Sequence, residues 1–229
     1  SELIFDGTAI HAAELLSASL HGMLTNASTS WFSLSFGDRE LDGDDEAREW
    51  LQSVEDVMYN SFNRSNFQEQ IHELYHDLIT FGTAVMFVEA DDDFSLRFST
   101  RHISECYLSE DQNGRVDTVY RKFKMPARAV MARFGAENVS AKMLKKADTD
   151  PYQMMTLIHA VYKRDERDVT KVNSQNKPIA SVYLDPEEKI IISEGGFDEF
   201  PYMAPRFLKS SFEIGYGRSP SMTALADIK

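Results

Sequence analysis

The sequence is short of the features that mark several large functional classes. It holds a single cysteine, Cys106, so no disulfide can form within the chain. That excludes a disulfide scaffold and fits a reducing compartment. No apolar run approaches the roughly 20 residues needed to cross a bilayer, and no signal-peptide pattern is present. Asn26, Asn63 and Asn138 each open an Asn-X-Ser triplet; without a secretory signal these are chance matches. A Gly-rich phosphate loop, a local nucleophile signature and an internal repeat are all missing. Gly195-Gly196 follows a strand pattern that does not continue, so a turn accounts for it. The sequence opens on Ser1 and closes on Lys229 inside a helical pattern; a longer parent chain is expected. Basic residues are also scarce at the start. Residues 1–100 hold 4 basic and 19 acidic side chains, against 20 and 18 in residues 101–229. An acidic chain of net charge −13 does not bind nucleic acid non-specifically as a whole.

What is present is an ordinary globular composition. Apolar residues make up 42% and charged residues 27%, which argues against disorder throughout. Residues 8–25 carry Ala13, Leu16, Leu20, Met23 and Leu24 at helical spacing, with Thr8 or Asp6 as cap. Residues 31–36 alternate like a short strand. A second helix is expected over 44–61, with Ala47, Trp50, Leu51, Val54 and Met58 as its apolar stripe. A third spans 66–80, with Phe67, Ile71, Leu74 and Leu78 on one face and Gly82 to stop it.

Period-two patterns then take over. Residues 84–88 form an apolar run, Asp91-Asp92-Asp93 a polar turn, and Phe94, Leu96 and Phe98 the returning strand. Residues 103–108 and 116–123 flank Asn113-Gly114, a strong hairpin signal. Residues 126–147 read as one helix that begins with Pro126 in its first turn. A strand follows at 157–162 and a polar loop at 164–178. A second hairpin, 181–184 with 189–192, turns at Asp185-Pro186. Residues 200–208 are extended, with Pro201 and Pro205 keeping them to an edge. Helices first and hairpins after predict an α+β fold, not a doubly wound sheet.

Two groups of residues look functional. His72-Glu73-Leu74-Tyr75-His76 fits H-E-x-x-H, in which two histidines one turn apart share a zinc and the glutamate acts as base. Glu89 or Glu105 would supply a third ligand. Against this zinc-hydrolase alternative, both histidines fall off the apolar stripe of their helix, and Asp77 adds a charge where such helices usually have none. A solvated helix face is the plainer account, so no metal or other cofactor is expected. The second group is basic. Residues 121–146 hold eight basic side chains against Glu137 alone. Arg128, Arg133, Lys142, Lys145 and Lys146 are the candidates to meet a partner or DNA; balancing the acidic half is the plainer account.

The motif Tyr216-Gly217-Arg218-Ser219-Pro220 and the run Ala224 to Lys229 resemble the portal (head-to-tail connector) proteins of short-tailed double-stranded-DNA bacteriophages. So do Phe200-Pro201-Tyr202 with Pro205-Arg206, Leu24-Thr25-Asn26 with Trp31-Phe32 and Leu34, Phe81-Gly82-Thr83-Ala84, and Tyr120-Arg121 with Phe134-Gly135. These landmarks follow family order from about residue 7 to the end. The resemblance implies a structural subunit, not an enzyme. It implies a dodecameric ring at one capsid vertex, a channel for packaging and ejecting double-stranded DNA, and docking of the terminase large subunit and then a tail adaptor. It places the chain in the virion after assembly in the host cytoplasm, against the capsid protein, and away from membranes. Of the family's wing, stem, clip and crown, residues 1–214 would be the wing. Its helical part is 1–82 and its mainly antiparallel β part is 83–214, with the excursion 126–147. Residues 215–229 would start the stem, led in by Gly215, Gly217, Arg218, Ser219 and Pro220.

Overall fold

A computed structural model describes residues 7–93, 95–209 and 215–228. It is α+β, with helices preceding antiparallel hairpins as expected. The chain divides into two compact units. The first comprises 1–101, 203–209 and 217–229, and the second 102–202 with 210–216.

In the first unit the helices are α1 (Thr8–Leu24), α2 (Arg39–Asp42), α3 (Asp45–Arg64) and α4 (Phe67–Phe81). Strands β1 (Val85–Asp91) and β2 (Ser95–Arg101) pair as a hairpin with Val88 opposite Phe98. Phe94 lies outside the described residues. The core forms where the stripe of α4 meets this hairpin: Phe67, Leu74, Tyr75, Ala84, Met86 and Phe98 are buried together. Asn66 locks the two elements. Its side chain accepts from Phe98 N at 2.9 Å and donates to Phe98 O at 2.8 Å. Gly82 ends α4 in the left-handed region, φ 78°, where glycine alone is unstrained.

Several expectations for this unit fail, among them Trp50 on the apolar stripe of α3, which is 59% exposed. Residues 31–36 are not a strand, because α3 supplies what a neighbouring strand would. The Tyr59 hydroxyl accepts from Trp31 N and Phe32 N and donates to Phe32 O, and Glu55 accepts from Leu34 N. With its backbone satisfied, the segment stays irregular while its rings pack. Trp31 stacks on Phe67 at 5.7 Å between centroids. The stripe expected on α1 is also misplaced. Leu16, Met23 and Leu24 are exposed, whereas Ser17 is fully buried. Small side chains let α1 approach α4 closely, and the Ser17 hydroxyl donates to His72 O at 3.3 Å. The residue before α1 is Gly7, which offers no side-chain cap; Asp6 lies outside the described residues.

The second unit is built on β3 (Cys106–Glu110), β4 (Val116–Pro126), β5 (Met154–Lys163), β6 (Ile179–Asp185) and β7 (Ile190–Phe197). These pair in sequence order, all antiparallel. Both expected hairpins are present, although residues 103–105 are a 3₁₀ turn before β3. The expected single helix 126–147 is two, α5 (Ala127–Phe134) and α6 (Ala141–Thr149). Gly135 interrupts at φ 81°, and Ser140 starts α6 by accepting from Met143 N at 3.1 Å. Pro126 closes β4 and caps α5 from the position just before its first turn. One sheet face and the α5–α6 pair enclose Phe123, Val130, Phe134, Met143, Met155 and Leu157.

The remaining strands and last helix are β8 (Tyr202–Met203), beside β1, then β9 (Leu208–Lys209) paired with β10 (Gly217–Arg218), and α7 (Pro220–Ile228). No helix among the described residues is long and apolar enough to cross a membrane.

Candidate functional site

The H-E-x-x-H segment lies on α4, and its backbone geometry serves packing. His72 and Glu73 are exposed and His76 is half-buried. The His72 ring sits 5.4 Å from that of His21 on α1, whose Nε2 lies 2.7 Å from Gln68 Oε1. Glu105, one proposed third ligand, instead accepts from Nε and Nη2 of Arg121, each at 2.8 Å. Among the described residues no group of three or more His, Cys, Asp or Glu side chains is arranged to hold a metal ion.

The structure sorts the basic candidates into two groups. Lys142 and Lys146, on α6, clamp Glu187 in the β6–β7 turn at 2.9 and 3.0 Å, and Lys142 also reaches Glu188 at 3.4 Å. The glutamates hold the Lys142 ammonium above its usual range, and the two lysines hold the Glu187 carboxyl below its own. Arg133 lies over the rings of Tyr183 and Phe134, at 5.1 and 5.7 Å, and donates to the Tyr183 hydroxyl at 3.0 Å. These three side chains are engaged within the chain. Lys145 and Arg128 are exposed, and none of the ion pairs among the described residues involves them. Arg128 leans over the Tyr152 ring at 5.0 Å.

Two further exposed cations were not among the candidates. Lys122 and Lys124 stand on one face of β4, beside Met154, around an open hollow. The period-two spacing of these lysines signals that shared face. The sequence does not tell which face α5 and α6 will cover. Tyr152 and Met154 are 68% and 54% exposed, so Lys122 and Lys124 beside Met154, and Arg128 over Tyr152, set exposed cations next to exposed apolar side chains, with Glu105 also on the hollow.

The helix start at the C-terminus is closely built. Ser219 is fully buried; its hydroxyl accepts from Met222 N at 2.9 Å and donates to Thr80 O, on α4, at 3.0 Å. Pro220 occupies the first helical position, where its missing N–H costs nothing. Gly215 adopts φ 80° against Leu108. Gly217 stays outside the left-handed region; it is needed for closeness. A Cβ there would meet Gly82 O at 2.6 Å, and a Cβ on Gly82 would meet Gly217 O at 2.5 Å. Gly217 N donates to the Thr83 hydroxyl at 2.7 Å. Arg218 is exposed, and on α7 Met222 and Leu225 remain 45% and 49% exposed. The side chain of Ile228, and Lys229, lie outside the described residues.

Exposed cations beside exposed apolar side chains, with a partly bare face on α7, give the chain the surface of an assembly subunit. The comparison with known families gives that class its identity: the chain belongs to the bacteriophage head-to-tail connecting proteins, whose family model matches residues 1–229. It is 32% identical over 229 residues to the portal protein of Salmonella phage epsilon15 and 31% identical to the probable portal protein of Bordetella phage BPP-1. Each alignment covers 99% of this chain and 41% of the relative, so the chain spans well under half the length of both.

Proposed function

We propose that this chain is the wing of a portal subunit, a structural protein without catalysis of its own. The observation that carries the reading is the family match along the whole chain, joined to two relatives called portal or probable portal protein. In this reading residues 1–214 form the wing and 215–229 lead into a stem helix. Copies assemble as a ring at the capsid vertex. The ring joins capsid protein to the tail adaptor, receives the terminase large subunit during packaging, and passes double-stranded DNA through its centre. The subunit assembles in the host cytoplasm and resides in the virion.

The partly bare face of α7 supports this. An isolated helix this short is marginal in water, and its exposed Met222 and Leu225 suit continuation or a partner. The acidic first half supports it too, because a channel must let phosphates slide and not hold them. Negative-stain imaging of the purified full-length parent protein tests the reading. Rings of uniform subunit number with a central hole are expected. A full-length parent protein that stays monomeric at all concentrations would overturn it.

A further inference from the structure

Two exposed surfaces have matching patterns of opposite sign. The first is on α3, an amphipathic helix that buries no residue completely. Its outward residues recur at helical spacing. Trp50 and Val57 are 59% and 65% exposed and lie one above the other, with Glu46, Glu49 and Asp56 exposed beside them. Phe36 stacks on Trp50 at 6.0 Å between centroids and extends the apolar ridge. Large apolar side chains held outward within a carboxylate frame are the composition of a contact surface, apolar at the centre and charged at the rim. The second is the Lys122, Lys124, Arg128, Tyr152 and Met154 patch. Its exposed aromatic and thioether lie beside exposed cations that form no ion pair among the described residues, apolar side chains next to charge as on α3 but with the opposite sign.

We infer that the outward stripe of α3 docks on the Lys122–Lys124–Arg128 patch of a second copy of this chain. The inference rests on the portal reading and deepens it by naming the surfaces that join neighbours. The Lys122–Lys124–Arg128 patch is also the place a DNA backbone would choose on charge alone. The exposed apolar side chains decide against DNA, because Tyr152 and Met154 gain from burial against Trp50 and Val57 and gain nothing from phosphate. Because the two surfaces differ, the contact is heterologous and each copy uses both; such contacts repeat and close into a ring when the rotation allows.

The test is a charge swap in the 229-residue chain, read by native mass spectrometry and sedimentation, with circular dichroism to verify folding. One variant carries Glu49→Lys and Asp56→Lys, the other Lys124→Glu and Arg128→Glu. Each alone is expected to weaken self-association at least tenfold. Mixed in equal amounts they should recover mixed oligomers, since the reversed stripe of one meets the reversed patch of the other. Tyr152→Ala, which changes no charge, should weaken association as well. If the wild-type chain does not self-associate, this pairing is overturned, whereas the portal reading is decided by imaging of the full-length protein. If wild type assembles and neither reversal affects it, or mixing restores nothing, this pairing is overturned and the portal reading stands. Loss of duplex-DNA retention by the patch variant, with assembly intact, would assign the patch to DNA and overturn the pairing.

Discussion

At the residue scale, the fold depends on two glycines and one serine used in different ways. Gly82 and Gly217 press backbone on backbone, each leaving no room for a Cβ. Gly82→Ala must accept a left-handed φ and a clash, and Gly217→Ala a clash alone; each is expected to cost about 1–3 kcal/mol in urea unfolding, Gly82→Ala the more. Gly22, inside α1 with nothing within 4 Å of its would-be Cβ, should show the opposite sign. Gly22→Ala is expected to stabilise by up to about 1 kcal/mol, alanine being the better helix former. Ser219→Ala removes the cap of α7 and an anchor to Thr80, and a loss of about 1–2 kcal/mol should appear in the same measurement. The cap at Ser219 and the stop at Gly82 are legible in the sequence because local geometry sets them. The reason for Gly217 is not, since it lies in a carbonyl more than a hundred residues away in sequence.

At the element scale, periodicity places α1, α3, α4 and both hairpins close to where they occur. It fails where side chains from another element take over a backbone's hydrogen bonds, as Tyr59 and Glu55 do for residues 31–36. It fails again at α5–α6, where one basic, apolar-striped run conceals a break at Gly135. The α6 clamp makes a prediction with a definite sign. Glu187 is depressed in the folded state by Lys142 first and Lys146 next, so its contribution is present above the ordinary carboxylate value, about 4.3. That contribution disappears as pH falls through the lower folded value. Lys142 is raised, so its contribution is complete below the ordinary lysine value, about 10.4, and fades only as pH rises through the higher folded value. Hydrogen exchange of residues 141–149, corrected for intrinsic rates, should therefore stay flat from about pH 5 to pH 10 and quicken in acid. Glu187→Gln should show the quicker exchange already at neutral pH.

At the scale of the whole molecule, the α+β class is legible from the order of patterns, and the family from scattered landmarks whose order matters more than any one of them. The candidate site is legible only in part. The sequence identifies a basic segment but not which cations are already paired, because Glu187 and Glu188 meet α6 only after β6 and β7 have turned. The arrangement of the two units also bears on the order of events during synthesis. The second unit interrupts the first: the chain leaves at Arg101 and returns at Met203. The bond from Gly217 N to Thr83 joins residues 134 apart in sequence, and that from Ser219 to Thr80 joins residues 139 apart. Hairpins such as β3–β4 and β6–β7 close short loops and can form as soon as they emerge, whereas these contacts must close a long one. A ribosome therefore releases the first unit with one side of β1 unpaired, and its closing strands arrive only after the whole of 102–202 has been made. An early stop between those points leaves a sheet edge bare, so the step most open to mispairing falls late in translation.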